Sequence, residues 1–141
     1  MGIGIIFLMA LLANTNTVSA NNQTETEECN VTIGIDSSGM AFDKTDISID
    51  VGDTVCWIWE NESMGHNVAE VDSEDSDERT SGGVYSGEPA TTADFRHTFT
   101  EDETFHYICE PHVAGDMRGK ITVGDGTPVQ SEERETPGFN M

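Results

Sequence analysis

From residue 30 onward, apolar residues recur at every second position in runs too short for helices or long strands. "NVTIGID" alternates at Val31, Ile33 and Ile35, "SSGM" turns the chain, and "DISIDV" alternates again. A "GD" turn leads into "TVCWIW"; "GHNVAEV", "ADFRHTF", "ETFHYIC" and "RGKITV" follow. A period of two places one side chain in two on a buried face, and no 3.6-residue period competes with it. A long, acidic, glycine-containing loop over roughly 71–89 separates the fourth run from the fifth. About seven short strands with turn signals between them predict an all-β, two-sheet antiparallel sandwich. The ordered domain is expected over 29–124.

The flanks read differently. "MGIGIIFLMALLANTNTVSA", residues 1–20, has an apolar stretch from Ile3 to Ala13 that is too short to span a bilayer. It fits a signal-peptide core, with "VSA" ending at Ala20 as the cleavage site, although a basic n-region is missing. Residues 21–28, "NNQTETEE", read as a flexible polar spacer, and 125–141 as a disordered acidic tail without a membrane anchor. Export to the periplasmic or extracellular face of the membrane is the expectation.

Acidic residues number 27 and basic residues 6, for a net charge of −21. Such a chain does not bind nucleic acid, because phosphate contacts need Lys and Arg. Acids occur in every segment, which fits a solvated surface of the halophilic or marine archaeal kind; the run "EVDSEDSDE", Glu70 to Glu78, is also a candidate docking patch. There are three cysteines, Cys29, Cys56 and Cys109. In an oxidising compartment an odd number implies one pair and one thiol with another task. Of the three pairings, only Cys29–Cys56 leaves Cys109 free.

Cys109 lies in "YICEPHVAGDM", together with His112 and Met117. A thiolate, an imidazole and a thioether form a soft donor set. With a second histidine they match the site that binds copper for electron transfer, whereas zinc takes Cys and His in tetrahedral closure without a thioether. Three other histidines are available. His97 is mid-strand between Phe95 and Phe99, and His106 faces away from Cys109 by strand parity. His66 follows the turn "ENESMG" at a sheet end, where a side chain can meet the 109–117 loop.

"VGDTVCWIWENESMGHNV" and "YICEPHVAGDMRGKITV" resemble the blue-copper cupredoxins, above all plastocyanins, pseudoazurins and archaeal halocyanins. The resemblance covers nearly the whole domain and implies a cupredoxin-type Greek-key β-sandwich holding one type 1 copper. It assigns His66, Cys109, His112 and Met117 as ligands. It also places the backbone N–H of Asn67 on the cysteine sulfur, with Pro111 stiffening the loop and removing a donor. "ECNVTI" is similar to azurin, where a cysteine at this place forms a disulfide near the third strand, which supports Cys29–Cys56.

The implied function is that of an exported monomer, not an enzyme, carrying single electrons by Cu(II)/Cu(I) cycling. Its partners would be redox proteins (a cytochrome, a membrane electron-transfer complex, an oxidase or a reductase), with no small-molecule substrate. The alternative is a copper-binding carrier module without an electron-transfer role. Met40, Met64 and Met117 are too few methionines for an open methionine-rich site. Met64, Val113 and Ala114 are candidates for a reduced apolar docking face around His112.

The sequence departs from those families at three positions: Asp116 where glycine is usual, Gly65 where proline is common, and Glu110 inside the loop. Acids near the copper favour its more positive state, so Asp116→Gly is expected to raise the redox potential, measurable by voltammetry; an unchanged or lowered potential would exclude this effect.

Overall fold

The computed structural model describes residues 27–127. The expected signal peptide, most of the spacer and nearly all of the tail lie outside the described residues.

Seven strands form where the alternation predicts them: β1 (Val31–Ile33), β2 (Asp46–Ile49), β3 (Thr54–Trp59), β4 (Ala69–Val71), β5 (Ala93–Thr98), β6 (Glu103–Ile108) and β7 (Arg118–Val123). They make two sheets, of order β1-β3-β5 and β2-β7-β6-β4. The pairing is not wholly antiparallel as expected. β1 runs parallel to β3, with Val31 opposite Val55, and β2 runs parallel to β7, with Ile47 opposite Ile121. The chain passes from β1 in one sheet to β2 in the other and back to β3, and such crossovers can bring strands of the same direction side by side. Alternation reports which face is buried and carries no information about a neighbour's direction.

The core lies between the sheets. Trp57 is fully buried and meets Tyr107 edge-on with centroids 5.4 Å apart, while Phe95 and Phe105 lie 5.8 and 6.4 Å away. Such contacts add to the burial of large apolar rings. The loop "SSGM" closes on itself through Asp36 N–H to Ala41 C=O at 2.9 Å, and the chain then delivers Phe42 to the ring of Tyr107 at 5.0 Å. Cys56 is buried in β3 and forms a disulfide with Cys29, which ties the chain preceding β1 to that strand. The bridge spans 27 residues, and closing a loop of that size restricts the unfolded chain.

Tyr107 in β6 stands opposite Gly119 in β7, and its ring covers that glycine. A Cβ at position 119 would run into the ring's Cζ and hydroxyl oxygen. Tyr107 in turn fixes the end of β6 that leads to Cys109. Gly119→Ala is therefore expected to destabilise the protein by roughly 1–3 kcal/mol through overpacking. Urea unfolding checks this, and a change within 0.5 kcal/mol, the scale of about one neutral surface substitution, would show that the ring relocates freely.

Candidate metal centre

Two segments meet at one end of the sandwich. The first connects β3 to β4. Asn61 turns the chain at φ 53°, and His66 exchanges two backbone hydrogen bonds of 3.0 Å with Ala90. Trp59 Nε1 donates to the same Ala90 carbonyl at 2.9 Å and sets its ring edge-on to His66, at 6.0 Å between centroids. At Gly65 a Cβ would come within 3.3 Å of Pro89, so the chain passes close to the 89–90 segment here. His66 is only 1% exposed.

The second segment joins β6 to β7. Rather than the loop expected over 109–117, it forms a 3-10 helix over Glu110–Gly115. Pro111 sits in its first turn, where a missing N–H costs nothing and a fixed φ helps. His112 N–H donates to Cys109 C=O at 3.1 Å, and Asp116 closes the helix in the left-handed region at φ 63°. Cys109 N–H then donates to Met117 C=O at 2.9 Å, bringing the two ends of the segment together. The departure from glycine at 116 thus places a side chain in a backbone region that favours glycine.

The two segments bring three donor atoms together. Cys109 Sγ lies 3.7 Å from His66 Nδ1 and 3.4 Å from His112 Nδ1, and the imidazole centroids are 4.8 Å apart. One donor atom from each of the three residues lies within 4.8 Å of the others. Met117 is buried in the same apolar cluster as Cys109. His112 alone of these residues is partly exposed.

Burial pushes the Cys109 thiol up, against the opposing pull of backbone N–H groups from Asn67 and His112 that hydrogen-bond the sulfur. Burial also lowers the pKa of His66, and the neighbouring His112 lowers it further, with Glu62 opposing. Left alone, the site therefore favours a neutral thiol beside a neutral imidazole. A thiophilic cation reverses that preference, because coordination deprotonates the thiol. Two imidazoles, a thiol and a buried thioether fit copper better than zinc or a hard cation.

Asn67 does more than its backbone suggested. Its buried side chain accepts from Glu110 N–H at 2.9 Å and donates to Glu110 Oε1 at 2.8 Å and Gly87 C=O at 3.1 Å. Residues next to His66 and Cys109 are thereby stitched together. The sequence reading also missed two arginines. Arg79 lies 3.9 Å from Glu110 and over the ring of Tyr85, and Arg118 pairs with Asp116 at 2.5 Å. The two acids flagged near the site therefore both face counter-charges. With 6 basic residues against 27 acids, each arginine was a visible signal, but its partner was not.

His97 and His106 stay outside the site, as expected. His97 is packed edge-on against Phe99 at 4.6 Å, and burial lowers its pKa. His106 lines a shallow cleft on the second sheet beside Lys120 and Glu74. For both His66 and His97 the folded pKa lies below the ordinary 6.5. Below that pH the unfolded chain binds protons that the folded chain refuses, so stability present above about 6.5 is lost as pH falls through the depressed folded values. Metal-free protein should accordingly show a falling urea midpoint below pH 6.5, with a smaller fall in His97→Phe; no pH dependence there would contradict the burial of these rings.

Comparison with known proteins agrees with this geometry. Residues 29–124 match the family described as copper binding proteins, plastocyanin/azurin family. A halocyanin of Natronomonas pharaonis is 34% identical over 102 residues, which is 72% of this chain and 60% of the halocyanin. A plastocyanin of Scenedesmus fuscus is 33% identical over 66% of this chain and 96% of its own length. Amicyanin of Paracoccus denitrificans is 36% identical, and the match spans 64% of both chains. Among solved structures, the reduced Cu(I) form of an amicyanin variant superposes with a TM-score of 0.53 at 32% identity, covering 70% of this chain and 86% of that one. The chain belongs to the plastocyanin/azurin family of copper-binding proteins.

Proposed function

We propose that this protein is an exported carrier of single electrons between redox proteins, with copper held by His66, Cys109, His112 and Met117. The observation that carries the reading is the approach of two imidazole Nδ1 atoms to one buried cysteine sulfur, at 3.7 and 3.4 Å. Copper bound there supplies a one-electron couple.

The chain's own residues do the rest. Trp59 and the Ala90 backbone hold His66, the Asn67 side chain holds Glu110 beside Cys109, and the 3-10 helix fixes His112 relative to Cys109. A ligand frame fixed before the metal arrives moves little when charge changes, which suits electron transfer. His112 is the partly exposed member, so its ring edge is the exit toward a partner. Met40 and Met64, 40% and 37% exposed, supply apolar surface on this part of the molecule: Met40 Cε lies 3.7 Å from the Cβ position of Gly115. The partner would be a cytochrome, a membrane complex, an oxidase or a reductase, met by the monomer outside the cytoplasm.

One equivalent of Cu(II) added to the purified domain should give an intense visible thiolate band that ascorbate bleaches and ferricyanide restores. Cys109→Ser should abolish the band. Copper bound without a thiolate band, or held only as colourless Cu(I), would instead favour a copper-carrier module.

A further inference from the structure

Arg118 follows Met117 directly in sequence, and its side chain is largely covered, at 21% exposed. Its guanidinium faces two loops at once. Nε donates to Asp116 Oδ1 at 2.5 Å, at the left-handed end of the ligand segment. Nη1 donates to Glu74 C=O at 2.6 Å and Ser76 C=O at 3.3 Å, and Nη2 to Asp77 Oδ1 at 2.7 Å. All three of these partners belong to the acidic loop between β4 and β5. That loop carries Asp72, Glu74, Asp75, Asp77 and Glu78, whose charges repel one another.

We propose that Arg118 is a positioning residue that clamps the acidic loop onto the Met117 end of the ligand segment and thereby holds that end in place. The segment is fixed at its Cys109 end by the Asn67 side chain. At its other end the backbone bond from Met117 N–H to His112 C=O is long, at 3.3 Å, and Asp116 occupies a backbone region that favours glycine. The Met117 carbonyl is held by Cys109 N–H at 2.9 Å, and the Arg118 fork adds a second hold from outside the segment, at Asp116. Asp116 and Asp77 are 81% and 66% exposed, so either ion pair alone contributes little in water. The carbonyls of Glu74 and Ser76 make the difference: they accept from a planar donor fork that a lysine cannot reproduce. The acidic loop thus serves as a buttress as well as a charged surface.

The clamp is present without metal, so its first test needs none. Hydrogen exchange on the metal-free protein should show the Asp116 and Met117 amides opening at least tenfold faster in Arg118→Met, together with the loop amides of Ser76 and Thr80. Val55 and Trp57 in β3 should keep their protection. Asp77→Asn should act in the same direction by a smaller factor, and the double variant should exchange no faster than Arg118→Met, since both remove one linkage. Arg118→Lys should restore protection only in part.

Ser76 and Thr80 speeding up while Asp116 and Met117 stay at wild-type rates would overturn the proposal, leaving Arg118 as a tether of the acidic loop alone. Full restoration by lysine would overturn the role of the fork. If Arg118→Met loses β3 protection, Asp77→Asn decides, because it changes an exposed carboxylate far from the core.

The consequence for the centre rests on the ligand reading above. Copper-loaded Arg118→Met should show altered relative intensities of its visible bands, and an unchanged spectrum would mean that the clamp does not reach the metal. A wild-type protein with no such bands would sink the ligand reading while leaving the exchange result standing.

Discussion

The backbone bond from Cys109 N–H to Met117 C=O is the closure on which the site depends. It joins the end of β6 to the start of β7, so that the intervening residues form one compact segment rather than a free loop. Within that segment a 3-10 helix sets the spacing of His112 from Cys109, and Pro111 occupies a turn position where its ring restricts the chain at no hydrogen-bonding cost. β6 and β7 are themselves paired over six residues each and anchored by the Tyr107–Gly119 contact. The precision of the donor set therefore derives from the core: the strands that bury Trp57, Tyr107 and Ile121 also carry the segment ends. A sandwich can hold such a segment stiffly because its strands are registered on both sides.

Burial acts in two directions here. It raises the thiol and lowers His66, which disfavours charge in the metal-free site, and it removes water from a donor set suited to a soft cation. The same dry surroundings make every remaining dipole matter more. That is the setting in which the backbone N–H groups of Asn67 and His112, both aimed at the sulfur, stabilise the thiolate form. His112 differs from its partners in being partly exposed, so the metal centre is asymmetric: closed on the His66 side and open toward solvent at one imidazole edge.

Much of this was legible in the chain because period-two alternation and donor chemistry are local properties. The seven strands lie in the runs that hold Val31, Ile47, Trp57, Val71, Phe95, Phe105 and Ile121, and strand parity sets His106 apart from Cys109. Parallel pairing of β1 with β3 and β2 with β7 was not legible, since strand direction depends on which sheet the chain enters next. The 3-10 helix escaped notice because six residues, about two turns, are too few to show a helical period. The Asn67 side-chain bonds and the arginine contacts escaped for another reason: they link residues 43 and 41 apart, through hydrogen bonds whose geometry only the folded chain defines.

Charge is where the sequence misleads most readily. A net −21 suggests a surface that merely repels, and the run from Glu70 to Glu78 looks like solvated loop. In the fold, Glu70 Oε2 accepts from Val84 N–H at 2.7 Å, Thr80 N–H donates to Glu70 C=O at 2.8 Å, and the loop returns across β4 to pack Tyr85 against the cluster of Ala69, Val71 and Ile108. An acidic segment can be ordered when its backbone has partners and its charges meet even a few cations. Because cations are so scarce in this chain, where they sit says more than how many acids surround them. Two of them, Arg79 and Arg118, face the two ends of the segment that carries Cys109, His112 and Met117. The surface charge and the metal centre are consequently not independent features: arginines that stabilise the acidic loop also compensate Glu110 and Asp116 beside the ligands.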